Sequence, residues 1–475
     1  MKSLPHLARS LLLALALAAA APAHALQQQP LPDTVAAEFA RAAPGTRFGL
    51  LVTTEDGREL IAMNPEGRFI PASNTKMLTT AAAFATLAGL DQPDAAGGAS
   101  VRLAENGDVI LIGAGDARLS SARDCVADCL ATLADAVAAR TRRVRNVIGD
   151  DSLFPDQRWS PGMSWNNIQS RYGTAISALT LDDNELWVRI FPGIVGQPPS
   201  LAGLPYYHID NRAVTVATGR TVLSLLRLPG SRTLQLTGTI ASGGPELIRL
   251  GIDDPAHYAA WRFAAMLEAR GVTVTGQSEA RHRLAGAHAP PEGHGPALAR
   301  LVPPPLAENL TRINKESQNL HAELMLRRVG RASGSGSIED GVAAVAAMME
   351  RAGAPRTSWD LSDGSGMSTY NRLSPRSVVS LLRWASSQSW GEAWRSTFPV
   401  AGVDGTLGRR FRGTSLEGRL FAKTGSLNAT NALSGYMTAR SGRTLVFSFF
   451  ANDVPADGSA TAVMDAVLLR IAEAN

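Results

Sequence analysis

Cysteine is nearly absent from this chain: 475 residues carry two, Cys125 and Cys129, both in "DCVADCL". With no third or fourth ligand beside them they make no case for zinc. A spacing of four fits a disulfide only in a loop or a frayed helix end, because a regular helix holds i and i+4 awkwardly for that bond. An exported protein can form such a bridge, so the pair reads as a local staple or as two free thiols, away from any chemistry. Charge is modest too. Charged residues make up 19% of the chain and hydrophobic ones 45%, which excludes a disordered protein. No long basic run suits nucleic acid. Beyond the N-terminus no stretch is apolar enough to cross a bilayer. The G-x-S-x-G elbow, the H-E-x-x-H zinc helix and the P-loop are all missing, and neither a metal nor a cofactor is expected.

What is present begins with a leader. "MKSLPHLARS" supplies Lys2 and Arg9, "LLLALALAAAA" is a short apolar core, and Ala23–His24–Ala25 is a small-x-small cleavage signal. This pattern is a secretory signal peptide, with cleavage expected after Ala25. Its removal takes two of the 46 basic residues and none of the 42 acidic ones, which leaves a formal charge of +2 and makes the pI of 9.3 uninformative. Export without an anchor implies a periplasmic or secreted protein.

A chain of this length exceeds one ordinary core, so two or more domains are expected. "RFGLLVTTEDGRELIAMNP" is a hairpin turning at Asp56-Gly57, preceded by an amphipathic helix in "PDTVAAEFARAA". The C-terminus mirrors it, with a hairpin turning at Ser441-Gly442 and a closing helix in "ATAVMDAVLLRIAEA". The two ends therefore predict one antiparallel sheet covered by helices. Between about 97 and 300 the texture changes to short strands punctuated by Gly and Pro: "DVILIGAG", "VRNVIGD", "ELWVRIF", "AVTVATG" and "TLQLTGTI", with helices at 121–140 and 256–270. That segment reads as inserted β-rich modules. "RHRLAGAHAPPEGHGP" (281–296) reads as a solvated loop in preference to a metal site, although His282, His288 and His294 recur in it every six residues.

Chemistry enters with "FIPASNTKMLTT". Ser73 and Lys76 are three apart and share a face if a helix starts at or just before Ser73; Pro71 suits a helix entry. The Ala-rich run that follows implies a central helix. Burial there would depress the lysine pKa and let a neutral amine take a proton from the serine hydroxyl. Backbone N–H groups near Ser73 would suit an oxyanion. Alone, S-x-x-K is equally a serine N-cap with a solvated lysine. Ser317-x-Asn319 alone is a helix-capping turn, and Lys423-Thr424-Gly425 alone is an exposed edge strand. The ordered set S-x-x-K, S-x-N, K-T-G is far more specific, since it is the signature of penicillin-recognising serine enzymes. No histidine lies close in sequence to Ser73, although a distant partner stays open.

With these motifs the chain resembles the D-alanyl-D-alanine carboxypeptidases/endopeptidases of peptidase family S13, the class C low-molecular-mass penicillin-binding proteins. The likeness also runs through "IGDDSLF", "YGTAISALTL", "NKESQNLHAELMLR", "DGSGMSTYNRLSPRS", "FPVAGVDGTLGRRF" and "AKTGSLNATNALSGYM". It implies an α+β fold: a penicillin-binding transpeptidase-like, β-lactamase-like domain (26–96 and 301–475) with an antiparallel sheet flanked by helices. Two β-rich inserts are nested in it, one over 97–183 and 246–300 and the other over 184–245. The resemblance implies that Ser73 is the acylated nucleophile and Lys76 its base. Ser317 would pass the proton to the leaving amine, Asn319 would hold Lys76 and the substrate amide, and Lys423 would supply positive potential. It places Thr424, Gly425, Ser426 and Asn428 against substrate, with the hydroxyls of Thr424 and Ser426 on its terminal carboxylate. The N–H groups of Ser73 and Ser426 would form the oxyanion hole.

Two departures stand out. Relatives read D-G-S-G-L-S-R, with the arginine resembling a clamp for a diaminopimelate carboxylate; here Thr369 holds that position and lacks the bidentate charge. Arg372 is either a substitute or an ordinary surface arginine. Ala175 replaces a common proline in a loop. Asp156 is either the acidic residue that meets the diaminopimelate amine or part of a plain Asp-x-Arg turn. The expectation is a periplasmic DD-carboxypeptidase and DD-endopeptidase acting on peptidoglycan stem peptides and inhibited by β-lactams. A β-lactamase or esterase with the same machinery, or a silent peptidoglycan-binding protein, are the alternatives.

Overall fold

A computed structural model describes residues 31–287 and 296–475. The leader, its cleavage point after Ala25, and His288 and His294 lie outside the described residues. The main sheet is antiparallel and has five strands in the order Leu420–Leu427, Thr430–Thr438, Thr444–Asn452, Arg47–Thr54 and Glu59–Met63. The two terminal hairpins are thus joined into one sheet, as expected. Gly57 makes the first turn at φ +99, a conformation that costs a glycine little.

Both faces of this sheet are covered, which explains strands that read as continuous apolar runs. Alternate side chains point to opposite faces. Leu50, Val52, Phe447 and Phe449 meet Val35 and Ile471 of the terminal helices Leu31–Phe39 and Thr461–Ala474. Leu51, Val446 and Phe450 meet Met77, Leu310 and Val329 on the other side. Those three belong to the helices Thr75–Thr86, Leu306–Lys315 and Asn319–Arg331. The helix Thr75–Thr86 is enclosed on every side over residues 75–83, where Lys76 and the threonines Thr75, Thr79 and Thr80 are buried beside Met77, Leu78 and three alanines.

The inserted segment forms three larger sheets. One is mixed, in the order Ser278–Arg283, Val147–Pro155, Val109–Ile112, Ser100–Leu103, Ala299–Arg300. A second has three antiparallel strands, Glu246–Gly251, Glu185–Phe191 and Ser200–Gly203. The third joins Val214–Val216, Thr233–Ala241, Val222–Leu226 and His208–Asn211. Glu246–Gly251 pairs with Glu185–Phe191 along its whole length. The second sheet therefore crosses the boundary proposed at 245/246 and draws residues 246–251 into the nested module.

Three local expectations are corrected. The helix expected over 121–140 covers only Leu130–Arg140. Its expected first half is a loop closed by a Cys125–Cys129 disulfide with Cα atoms 5.7 Å apart, and Asp128 within it is left-handed at φ +52, which a helix cannot accommodate. Second, residues 281–283 are strand, not loop: they end Ser278–Arg283, which runs parallel to Val147–Pro155. Third, the His282 ring is held between Asp151 (2.9 Å) and Asp254 (3.3 Å), and hydrogen bonds to these carboxylates push its pKa up to about 10. It is an ion-pair partner inside the module.

Candidate active site

Ser73 sits in a single 3-10 turn, Ala72–Asn74, that leads directly into the helix Thr75–Thr86. The turn is held from two sides. Asn74 Nδ2 donates to the Lys423 carbonyl at 2.8 Å and ties it to the strand Leu420–Leu427. Gly425 makes that approach feasible, because a Cβ there would lie 2.7 Å from the Pro71 carbonyl oxygen. On the other side Gly366, at φ +87, backs onto Ala72, which itself has a left-handed φ of +46. Gly425 of K-T-G and Gly366 of D-G-S-G thus serve one purpose: they let two backbones close on the serine turn.

The Lys76 side chain is fully buried. Its Nζ donates to Ser73 Oγ (2.9 Å), Asn319 Oδ1 (2.6 Å) and the Ser365 carbonyl (2.6 Å). Burial pushes its pKa down from 10.5 to about 7; the carboxylates of Asp363 and Glu323 pull the other way and lose. Two of its three partners, an amide oxygen and a carbonyl, can only accept. A neutral Lys76 keeps both as acceptors with its two remaining protons and turns its lone pair to Ser73 Oγ. The geometry therefore makes a base aimed at one hydroxyl.

Asn319 is the first residue of the helix Asn319–Arg331, and its Nδ2 donates to the Tyr172 carbonyl (2.9 Å), which leaves Oδ1 for Lys76. Two residues earlier Ser317 has φ +62, a strained conformation for a residue with a Cβ. Lys423 Nζ, also fully buried, donates to Ser317 Oγ (2.9 Å) and to the Thr424 carbonyl (3.0 Å). Burial, and then the charge of Lys76, push the Lys423 amine well below its ordinary value. Lys315, just before Ser317, pairs with Asp404.

The strand Leu420–Leu427 lies at the edge of the main sheet. Thr424 and Ser426 share its more open face, and Thr424 Oγ1 meets Thr406 Oγ1 at 2.7 Å. Asn428 is not part of this group. It lies beyond the strand in an exposed turn, beside a separate surface cavity shared with Pro455 and Ser459. Thr369 is exposed, and its backbone N–H and hydroxyl both donate to the Gly162 carbonyl (3.1 Å each), pinning the D-G-S-G loop to the inserted module. Arg372 is turned back onto the backbone and donates to the carbonyls of Thr369 (2.7 Å) and Asn371 (2.8 Å). Asp156 accepts from Arg158 Nε (2.9 Å), and it is Arg158 that lines the crevice with Tyr172, Asn319 and Ser365. The Arg158 guanidinium is itself turned to Asp156, to the Asp253 carbonyl (2.8 Å) and to Asp254 (3.3 Å), so Asp156 belongs to an ion-pair cluster of the inserted module.

Two residues that sequence reading passes over complete the site. Glu323 Oε1 accepts the N–H groups of Gly364 (3.0 Å) and Ser365 (2.9 Å), which orients the Ser365 carbonyl toward Lys76. Asp363 accepts from the N–H groups of Gly366 (2.9 Å) and Ser368 (2.6 Å) and from Asn371 Nδ2 (2.5 Å). Burial pushes the Glu323 carboxyl up, and Arg327 opposes this. The available signal was the stripe Asn319, Glu323, Arg327 at i, i+4, i+8, three polar groups on one face of a helix. His321, two residues after Asn319, turns to Asn309 and Asp183 (2.7 Å to the latter), and it is Lys76 that meets Ser73 Oγ. No group of three or more His, Cys, Asp or Glu among the described residues could hold a metal ion. No helix among them is long and apolar enough to cross a membrane.

Residues 33–473 match the sequence profile of the D-Ala-D-Ala carboxypeptidase 3 (S13) family. The D-alanyl-D-alanine carboxypeptidase of Actinomadura sp. (strain R39) is 34% identical over 446 residues, 89% of this chain and 80% of that protein. The penicillin-sensitive carboxypeptidase A of Dictyostelium discoideum is 26% identical over 457 residues, 87% of this chain and 85% of that one. Penicillin binding protein 4 (dacB) from Haemophilus influenzae matches in structure with a TM-score of 0.80 at 20% identity, covering 92% of this chain and 98% of that chain. The expected fold class is the one observed.

Proposed function

We infer, because this chain belongs to the D-Ala-D-Ala carboxypeptidase 3 (S13) family, that its Ser73 is acylated by peptidoglycan stem peptides ending in D-Ala-D-Ala. The chain is a serine-type peptidase of that family, and the finer reading is a periplasmic DD-carboxypeptidase that also cleaves DD-crosslinks. One observation carries it: Lys76 Nζ is fixed by two acceptor-only groups with its third position on Ser73 Oγ.

The chemistry follows from that geometry. Neutral Lys76 takes the Ser73 proton as Oγ attacks the carbonyl carbon of the penultimate D-Ala. The oxyanion is received by the N–H groups of Ser73 and Ser426. The C–N bond then breaks, and Ser317, held by Lys423, relays the proton from Lys76 to the departing amine. In the carboxypeptidase reaction that amine belongs to free D-Ala; in the endopeptidase reaction it belongs to a neighbouring stem. Water attacks the ester, Lys76 takes its proton, and Ser73 is released. A substrate carboxylate on Thr424 and Ser426 would raise the depressed pKa of Lys423, so its positive charge is strongest when substrate is bound.

A solved neighbour was crystallised with a β-lactam, at a TM-score of 0.71 and 19% identity, which supports trapping of this serine by the same class of compound. Labelled penicillin followed by mass spectrometry tests the reading. A stable adduct on Ser73 supports the peptidase, rapid turnover indicates a β-lactamase, and no adduct indicates a silent binder. D-Ala release against crosslink cleavage on purified muropeptides then separates the two peptidase activities. N-terminal sequencing of the exported protein tests cleavage after Ala25.

A further inference from the structure

The nested module carries an open, apolar and cationic face that begins at the active site. A cavity of about 250 Å³ lies beside Ser317 and Asn319 and is lined by Arg171, Tyr172, Glu185 and Glu316 among others. Glu185 opens the strand Glu185–Phe191. Along that strand Leu186, Val188 and Ile190 point into the core, while Trp187, Arg189 and Phe191 point outward. On the neighbouring strand Arg249 stands opposite Trp187 and Leu247 opposite Arg189. The Arg249 guanidinium lies 4.0 Å from the Trp187 ring centroid, and the Arg171 guanidinium 4.5 Å from the Tyr172 ring centroid. From Glu185 to Phe191 the stripe runs roughly 20 Å at the rise of an extended strand.

This face is built to meet something. Trp187 is 46% exposed and Leu247 42%, and Ile194 and Val195 extend the apolar surface at the far end. Side chains of this size gathered on one face mark a contact surface more than scattered singles do. The carboxylate on the strand, Glu185, is buried with Arg171 and Arg249 at 3.8 and 3.7 Å. With Glu316 in the cavity at the active-site end, three arginines outweigh two acids, and the surface attracts anions. A second copy of this chain packed two-fold on the same face would set arginines against arginines.

Resting on the reading of Ser73 as a stem-peptide peptidase, we propose that this face is an exosite for the peptidoglycan polymer. Stem peptides carry free carboxylates for Arg171, Arg189 and Arg249, and the glycan offers acetamido groups and apolar sugar faces to Trp187 and Phe191. The stripe starts beside Asn319, so a strand docked along it delivers its stem peptides to the serine. The exosite selects the insoluble polymer and leaves the handling of a short soluble peptide untouched.

Co-sedimentation of the mature protein with purified sacculi tests this, alongside D-Ala release from a soluble pentapeptide and penicillin acylation of Ser73. Trp187→Ala/Arg189→Glu is expected to weaken sacculus binding by about tenfold, with the parent's binding falling as salt rises. The rates on soluble peptide and penicillin stay at the parent's level. Phe191→Ser, at the other end of the stripe, is expected to weaken sacculus binding in the same sense and guards against a folding defect in the first variant. Unchanged sacculus binding in both overturns the exosite, as does a loss of self-association without a loss of sacculus binding. A parent that releases no D-Ala overturns the reading of the serine site and the exosite with it; normal D-Ala release with unchanged sacculus binding overturns the exosite alone.

Discussion

A Cβ added to Gly366 would lie 1.9 Å from the carbonyl oxygen of Ala72. No flexible side-chain end is available there to yield, because the obstacle is the backbone of the serine turn. Gly366→Ala must therefore displace residues 72–73 or the D-G-S-G loop, besides straining a φ of +87. A misplaced nucleophile of this kind costs about 10²-fold in rate. The expected outcome is penicillin acylation slowed to that extent, with stability reduced by about 2 kcal/mol or more. Stopped-flow acylation and thermal melts measure both.

Lys76 sets a pH dependence with a definite sign. Its folded pKa of about 7 lies below the unfolded 10.5. Acylation should rise with pH through about 7 as the amine becomes neutral. The folded state binds fewer protons at this group than the unfolded state between 7 and 10.5, so its contribution to stability rises with pH across that window. The penalty of burying the charge is complete below 7 and gone above 10.5. Lys76→Met removes the penalty and the base together. Its stability relative to the parent should increase as pH falls from 10.5 to 7, while acylation drops by about 10²–10⁴-fold. Denaturant midpoints that keep a constant difference across that range would contradict this.

Glu323→Gln keeps an acceptor for the N–H groups of Gly364 and Ser365 but removes a charge that holds Lys76 up. The acid limb of the acylation profile should move below pH 7, so that the variant retains more of its maximal rate at acid pH than the parent does. An unmoved inflection would show that Glu323 acts on Lys76 through the Ser365 carbonyl alone.

Thr369→Arg places a guanidinium on the exposed edge of the D-G-S-G loop, beside the Gly162 carbonyl that Thr369 now binds. Substrates with a diaminopimelate third residue should bind more tightly, with KM lowered and penicillin acylation unaltered. Unchanged or weaker binding removes Thr369 from the specificity pocket.

Much of the sheet was readable because apolar runs joined by short glycine turns are a local signal. Leu50 and Leu51 serve opposite faces, and the turns at Gly57 and Gly442 announce themselves. The core of the site was readable for another reason: Ser73, Lys76, Ser317, Asn319 and Lys423 stand in short motifs whose spacing is itself the signature. What stayed hidden depends on contacts between segments far apart in sequence. Glu323 and Gly364 are 41 residues apart, and nothing local links them. Asp156 read either as a substrate contact or as part of a plain Asp-x-Arg turn, and the fold pairs it with Arg158 in a cluster that also holds Asp254. Residues 121–129 resemble a helix start by composition, and only the closed disulfide loop with left-handed Asp128 shows why they are not. His282 sat among prolines and glycines that suggested a loop, yet Asp151 and Asp254 hold it in a strand.

Arginine supplies nearly all the positive charge of this chain. The sequence has four lysines: Lys2 near the N-terminus, and Lys76, Lys315 and Lys423 in the three motif segments. Two of the last three are fully buried and the third is paired with Asp404. Every lysine after Lys2 thus stands in a motif segment. An amine-directed reagent, or a protease that cuts after lysine, meets the side chains of the folded enzyme only in those segments. Such chemistry becomes a footprint of the motifs, read against an arginine-charged surface that is silent to it.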